Sequence, residues 1–288
     1  MSNIVGIDLG TTFSGLAILN KNGKPEIVPN AEGERITPSA LYVEGDGSVL
    51  VGAEAVNTRK EDVSRSVRWV KRSMGEDAYP ETVAGRTWTP AELSSLILRK
   101  LKQDCSRQCG DIKDVVITVP AYFDEVRRKA TMDAGEQAGL NVMAIINEPA
   151  AAALYYAHSF NTSGRIMVFD LGGGTFDVTI LDVAGGKVDI VCSQGHHELG
   201  GWDFDQRLLE RFVRAYAEEK GAKLYETAEE KAEFEELAED VKRSLSQRPH
   251  RKVLLVSGST RVPMIRNRLA KLMGFEPSAE VNVDECVA

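Results

Sequence analysis

Short apolar runs broken by glycine-rich turns open the chain. VGIDLG is too short for a helix and reads as a buried strand. FSGLAIL and PEIV follow as strands, with Asn22-Gly23 as the turn of their hairpin. Residues 53–74 carry charges at helical spacing and predict one or two surface helices. Thr89-Pro90-Ala91-Glu92 combines a capping hydroxyl, a proline suited to the first helical position and an acid that completes a capping box. Leu93, Leu96, Ile97 and Leu101 then share one helical face, and Gly110 ends it. DVVITVP (114–120) predicts a buried strand stopped by Pro120, residues 124–138 a charged amphipathic helix ended by Gly139, VMAIIN a strand, and EPAAAALYYAHSF an alanine-rich helix. Hairpins return at 166–194, followed by helices near 203–219 and 227–245, the strand VLLVSG (253–258) and a helix over 261–273 with Pro263 in its first turn. The alternation is that of an α/β protein.

The pattern also repeats. IVGIDLGTTFSGLAILNKNGKPEIV (4–28) matches IMVFDLGGGTFDVTILDVAGGKVDIV (166–191). Asp8 aligns with Asp170, Gly10 with Gly172, Ile18 with Ile180 and Leu19 with Leu181. With one residue inserted, Gly23, Lys24, Ile27 and Val28 match Gly186, Lys187, Ile190 and Val191. Such an internal duplication sets the fold. Two similar halves, each ending a strand in an aspartate and a flexible turn, face each other across a cleft. That cleft offers backbone N–H groups and carboxylates from both sides, which a nucleoside triphosphate with a divalent cation requires.

Composition narrows the partners. At 288 residues the chain is long enough for two domains or two large lobes, and 43% apolar with 27% charged residues reads as soluble and globular. A formal charge of −8 argues against nucleic acid or an anionic membrane surface as the main partner. The N-terminus enters a strand at once, so no secretory signal is expected, and no apolar run is long enough to span a bilayer. Cys105 and Cys109 stand one helical turn apart. Half-buried thiols on a cytosolic helix explain them better than a metal site does.

The chemistry concentrates at the turns. Gly172-Gly173-Gly174-Thr175 lies inside a hairpin, and the chain contains neither GxxxxGK[ST] nor GxGxxG. Glycines let backbone N–H groups approach a polyphosphate, and threonine hydroxyls add donors. Asp8 and Asp170 occupy equivalent strand ends. Two carboxylates about 4 Å apart repel by roughly 1 kcal/mol in water and about 4 at an effective dielectric near 20. A cation removes that penalty, and Mg²⁺ retaining several waters fits few direct ligands better than Ca²⁺ does. Asp177 and Asp203 are further candidates for a second cation or for positioning a water. Asp203 is read equally well as a helix N-cap. Taken alone, Lys71 reads as a solvated helix charge and Glu148 as an acid in a helix's first turn.

IDLGTTFS, VITVPAYF, INEPAAAAL, FDLGGGTFD, LGGWDFD and SGSTRVP, in this order, resemble the nucleotide-binding domain of the seventy-kilodalton heat-shock chaperones of DnaK type. The match covers nearly the whole chain. It implies the duplicated actin-like, ribonuclease-H-like ATPase fold, also that of sugar kinases, with two lobes around a nucleotide cleft: residues 1–165 as lobe I and 166–288 as lobe II. It implies slow hydrolysis of ATP to ADP and phosphate in the cytoplasm, controlling peptide binding. Gly10, Thr11, Thr12, Phe13, Gly172, Gly173, Gly174, Thr175, Gly200 and Gly201 would hold the nucleotide. Asp8 and Asp170 would bind Mg²⁺ through waters, and Asp177 and Asp203 a monovalent cation such as K⁺. Lys71, Glu148, Asp177 and Thr175 would serve hydrolysis. Glu239, Lys242 and Ser246 match an ExxKxxLS pattern that clamps adenosine. Gly258, Ser259, Arg261 and Asp284 match the second adenine-side segment, with Arg261 stacking on the base. Pro120 and Arg128 match a pair that relays nucleotide state to the surface.

Departures from the family pattern qualify this picture. Ser257 replaces the first glycine of the adenine-side segment and crowds it. Ala144 and Ala150 stand where relatives often carry Arg and Thr near the surface used by J-domain partners. After Ser246 the chain passes RPHRK into VLLVSG almost directly, where the family has a further hairpin and helices that contact exchange factors. The expectation is therefore a second lobe incomplete after about residue 250. The last helix, the linker and the peptide-binding domain, through which clients would be held, are expected to be absent. A non-hydrolysing regulator, a small-molecule kinase of the same fold and an actin-like filament are the alternatives.

Overall fold

In the computed structural model, residues 4–247 are described. The chain divides after Gly201 into two compact units.

The first unit opens with a hairpin of β1 (Val5–Leu9) and β2 (Phe13–Leu19), extended by β3 (Pro25–Ile27) and β4 (Thr37–Pro38). A three-stranded sheet of β5 (Ala40–Val43), β6 (Val49–Val51) and β7 (Ser66–Arg68) follows, with α1 (Ala53–Thr58) between its second and third strands. After it come α2 (Pro90–Cys109), β8 (Asp114–Val119), α3 (Glu125–Gln137), β9 (Asn141–Asn147) and α4 (Glu148–Phe160). The main sheet runs β3-β2-β1-β8-β9, with β1, β8 and β9 parallel. Val5, Ile7, Val115, Ile117, Leu93, Ile97 and Leu98 are buried between this sheet and its helices. Thr89 caps α2 in the expected box, accepting from the Glu92 amide while the Glu92 carboxylate accepts from the Thr89 amide.

A second hairpin sheet is formed by β10 (Gly164–Leu171), β11 (Phe176–Ala184) and β12 (Lys187–His196). Helix α4 covers it by packing Ala150, Ala153 and Ala157 against Leu181, Val183 and Ile166. Small side chains let this helix lie close to the sheet, and they explain the alanine run. The described residues are thus mixed α/β, and the hairpin occurs twice.

In the second unit, α5 (Gly201–Lys220) and α6 (Ala228–Gln247) pack through Leu209, Phe212 and Ala238. The expected strand 253–258 and helix 261–273 lie outside the described residues.

Two expectations need correction. Residues 53–74 are not surface helices. Only α1 is helical over more than one turn, and the stretch continues as a 3₁₀ turn (Val63–Arg65), β7 and a second 3₁₀ turn (Val70–Ser73). Val67, Val70 and Met74 are core residues, so the charge spacing hid a strand that pairs with β5. The repeat also ends sooner than the sequence match. Asp8 pairs with Gly15 and Asp170 with Asp177, an identical register, but Ile27 pairs with Ala17 whereas Ile190 pairs with Leu181. A longer first turn and a bulge at Ile180/Leu181 shift the third strand of the second copy.

Candidate functional site

The C-terminal ends of the parallel strands converge, as ligand sites of open α/β sheets require. Asp8 lies level with Thr118 on β8, whose hydroxyl donates to its carboxylate at 3.0 Å. Asn147 ends β9, and Glu148 opens α4. Against these ends stands the tip of the β10–β11 hairpin. A Cβ added at Gly173 would overlap the Thr12 hydroxyl, and one at Gly174 would sit 2.5 Å from Thr11 Cγ2. The two glycine tips touch only because side chains are missing there. The loop below is firm. The Ser39 amide donates to the Thr12 carbonyl and its hydroxyl to the Gly10 carbonyl, each at 2.8 Å. On the opposite tip, the Gly172 amide donates to the Thr175 carbonyl at 2.9 Å, and the Gly201 amide to the Gly172 carbonyl at 3.0 Å. A Cβ at Gly200 would meet the Gly174 amide at 2.5 Å, so the LGG turn seats against the same tip.

Lys71 is not a solvated charge. It is 5% exposed, and its ammonium donates to Glu148 Oε1 at 2.5 Å. The pair joins a one-turn 3₁₀ segment to the start of α4. Burial pushes the Glu148 carboxyl up. Lys71 pulls it back down, while the charges of Asp8 and Asp170 add to the rise. Asp170 is raised by burial and then by Asp8. Asp177 is pushed up to about 6, by burial first and then by Glu148 and Asp170. Four carboxylates therefore crowd one region with Lys71 among them. The Asp177 Oδ1 atom is buried without a hydrogen-bond partner, which Gly195 across the ladder permits: a Cβ there would lie 2.6 Å from it. Such a surplus of negative charge is offset by a cation or by protons. Among the described residues no three His, Cys, Asp or Glu side chains could hold an ion directly, so Mg²⁺ held largely through its waters fits the donor set.

Sequence reasoning missed several neighbours. Tyr122 bonds to the Thr175 side chain, and burial with the Asp177 charge drives its phenol upward. Arg128 donates to the Phe123 carbonyl at 2.8 Å and to the Asn147 side chain at 2.5 Å, and the Phe123 amide donates to the Pro120 carbonyl at 3.1 Å. Pro120 and Arg128 are thus linked to the residue preceding Glu148. Tyr122 and Asn147 both lie in segments of recognised pattern, VPAYF and INEP, but nothing in their spacing announced these bonds.

Several other candidates belong to the second unit. Asp203 lies within the first turn of α5 and is not its N-cap, because the helix already begins at Gly201. In the second unit, Lys242 donates to Asp205 Oδ2 at 2.6 Å and Glu239 accepts from Arg243 at 2.8 Å. Asp205, the second acid of GGWDFD, was not singled out. The side chain of Ser246 and residues Ser257, Gly258, Ser259, Arg261 and Asp284 lie outside the described residues. Cys105 is buried, and its thiol is pushed up to about 12, so it is an inert structural group.

The family model described as Hsp70 protein matches residues 4–253 and 249–288. The chain belongs to the Hsp70 family. It is 37% identical to "Chaperone protein DnaK" of Thermotoga neapolitana over 344 aligned positions, which take in 99% of this chain and 58% of that relative. The alignment is longer than the chain's 288 residues, and the two Hsp70 matches overlap at 249–253, which takes in most of RPHRK (248–252). Among the described residues no helix is long and apolar enough to cross a membrane.

Proposed function

We propose that this Hsp70-family chain binds ATP with Mg²⁺ between the two glycine tips and hydrolyses it slowly to ADP and phosphate. The observation that carries this reading is the buried Lys71–Glu148 pair set beside touching glycine tips and a surplus of carboxylates. Thr11, Thr12, Phe13 and Thr175, with the backbone of Gly10, Gly172, Gly173, Gly174, Gly200 and Gly201, embrace the phosphates. Asp8 and Asp170 hold the metal through waters, and the metal neutralises phosphate charge when bound. Lys71 approaches the terminal phosphate and the attacking water. Glu148 and Asp177 orient that water. Phosphoryl transfer of this kind rests mainly on positioning and charge stabilisation.

In this reading residues 1–165 and 166–288 are the two lobes, assigned by their opening hairpins, and the stretch after about residue 250 is shorter than in relatives. Glu239, Lys242, Ser246, Gly258, Ser259, Arg261 and Asp284 receive the adenosine. Asp177 and Asp203 accept K⁺. Pro120 and Arg128 transmit nucleotide state from Glu148 to the surface, as a hinge-type switch requires. We take the whole protein to be a cytoplasmic chaperone whose clients bind outside this stretch. J-domain and exchange-factor partners follow from the family, with contacts altered at Ala144 and Ala150.

Calorimetric titration with ATP and Mg²⁺, followed by a single-turnover assay with labelled ATP, tests the reading. Lys71→Ala is expected to lower turnover at least about 100-fold, roughly 3 kcal/mol of barrier, while ATP binding persists. Asp170→Ala is expected to weaken the Mg²⁺-dependent part of binding about tenfold. Parental behaviour in both variants would defeat the site assignment, and tight binding without hydrolysis in the parent would make the chain a non-hydrolysing regulator.

A further inference from the structure

The lysine that meets Glu148 depends on an unusual backbone two residues earlier. Trp69 has φ 57° and ψ 27°, the left-handed region, which a bulky residue seldom enters. Among the described residues the other non-glycine residues with positive φ are Ala84 and Asn161, and Asn161 merely ends α4. Trp69 has a different place. It stands between the last residue of β7, Arg68, which pairs with Ala40, and the 3₁₀ turn Val70–Ser73. In an extended conformation it would carry the strand onward, away from the turn. The left-handed step instead folds the chain back so that the Arg72 amide reaches the Trp69 carbonyl at 3.0 Å and the Met74 amide the Lys71 carbonyl at 3.2 Å. Val70 and Met74 then enter the core, and Lys71 reaches Glu148. The step is braced from both sides. The Tyr79 hydroxyl donates to the Arg68 carbonyl at 3.0 Å, and the Arg68 guanidinium lies 4.5 Å from the centre of the Trp69 ring.

We infer that Trp69 is a positioning residue for Lys71: its left-handed backbone, clamped by Arg68 and Tyr79, aims the lysine at Glu148. Strain held in place by surrounding contacts is a recurrent device beside reactive groups. The importance of Lys71 for turnover rests on the function proposed above, whereas the aiming of its side chain does not.

Two substitutions in the full chain separate backbone from bulk. Asparagine tolerates the left-handed region, whereas valine, branched at Cβ, strongly resists it. The direct readout is the acylation rate of the Lys71 amine by an N-hydroxysuccinimide ester, followed by peptide mass spectrometry. Trp69→Asn is expected to keep Lys71 as slow to react as in the parent, within about twofold. Trp69→Val is expected to expose it and raise its rate at least about fivefold. Single-turnover ATP hydrolysis should fall about tenfold in Trp69→Val with the dissociation constant for ATP within about twofold, and Trp69→Asn should retain most of the rate. A purely structural tryptophan would instead make both variants lose melting temperature alike without splitting hydrolysis from binding. If Trp69→Val does not fold, Trp69→Ala takes its place, with a smaller effect in the same direction. Equal Lys71 reactivity in all folded variants, or loss of aim in Trp69→Asn as large as in Trp69→Val, overturns the inference. Should Lys71→Ala hydrolyse ATP at the parental rate, the functional reading fails and the acylation result still decides the role of Trp69.

Discussion

The β1–β2 and β10–β11 hairpins share a register and differ in their loads. Asp8 and Asp170 hold the same place, but Gly15 stands across from the first and Asp177 across from the second. The first copy is a tight turn: Gly10 is pressed against Phe13, and Ser39 ties both sides of the tip. The second copy carries the additional acid, with Gly195 making room for it. Duplication thus supplies two matching arms, and departures from the match supply the chemistry. Crowding a carboxylate into one arm alone leaves a charge that a cation or a proton must offset.

The largest expected asymmetry is steric. A Cβ at Gly10 would overlap the Phe13 carbonyl oxygen, a backbone atom that cannot swing aside, whereas one at Gly172 would lie an ordinary 3.5 Å from the Thr175 carbonyl oxygen. Gly10→Ala is expected to destabilise the chain by about 3 kcal/mol, at the upper end for overpacking. Gly172→Ala should lose less than about 1 kcal/mol. Urea unfolding of the two variants measures the difference, and equal losses would mean the two tips are sterically equivalent after all.

The next asymmetry is electrostatic. Asp177 titrates near 6 in the folded chain against an ordinary aspartate value near 3.9 when unfolded. Between these values the folded state binds the proton and the unfolded state does not, so stability falls as pH rises through the window. The full effect is about 3 kcal/mol for a buried carboxyl shifted this far. Asp177→Asn removes that loss and should leave the metal-free, nucleotide-free chain more stable than the parent at pH 7, with a flatter profile from about pH 4 to 6. An unchanged slope would assign the pH dependence to Glu148 and Asp170, which are raised by the same crowding.

How far the sequence discloses this site depends on the kind of signal. Apolar runs and caps are local, so α2, β8, α3, β9 and α4 were readable almost to the residue. The repeat exposed Asp8 and Asp170 because duplication leaves matching residues. The pair Lys71–Glu148 joins positions 77 residues apart, and no local pattern encodes such a contact. Family resemblance names both residues as serving hydrolysis, but not their contact. The segment leading to Lys71 was misread for a physical reason: its charges recur at helical spacing, yet Val67, Val70 and Met74 are buried by a strand and a turn whose direction depends on one left-handed residue. Tyr122 at Thr175 and Gly195 beside Asp177 were invisible for a similar reason, since a cross-strand or loop contact is set by register and not by composition.

The smallest expected effects lie at the far ends of the two hairpins, where the copies diverge. In the first, Asn20 manages a long turn: its side-chain oxygen accepts from the Asn22 amide at 3.0 Å and the Lys24 amide at 3.1 Å. Asn20→Ala removes both bonds at an exposed site, an expected loss of about 1 kcal/mol. In the second, Ala184 pairs with Lys187 across Gly185 and Gly186, whose φ values of 57° and 77° suit a two-residue turn of the primed type. A side chain at Gly185 would meet nothing within 4 Å, and asparagine accepts the left-handed region. Gly185→Asn should therefore stabilise the chain by about 0.5 kcal/mol, chiefly by restricting the unfolded state. Thermal unfolding of the two variants side by side should show shifts of opposite sign. Shifts of the same sign would mean that the second turn needs both glycines for reasons beyond backbone conformation, and that the two hairpin ends are less different than their hydrogen bonds indicate.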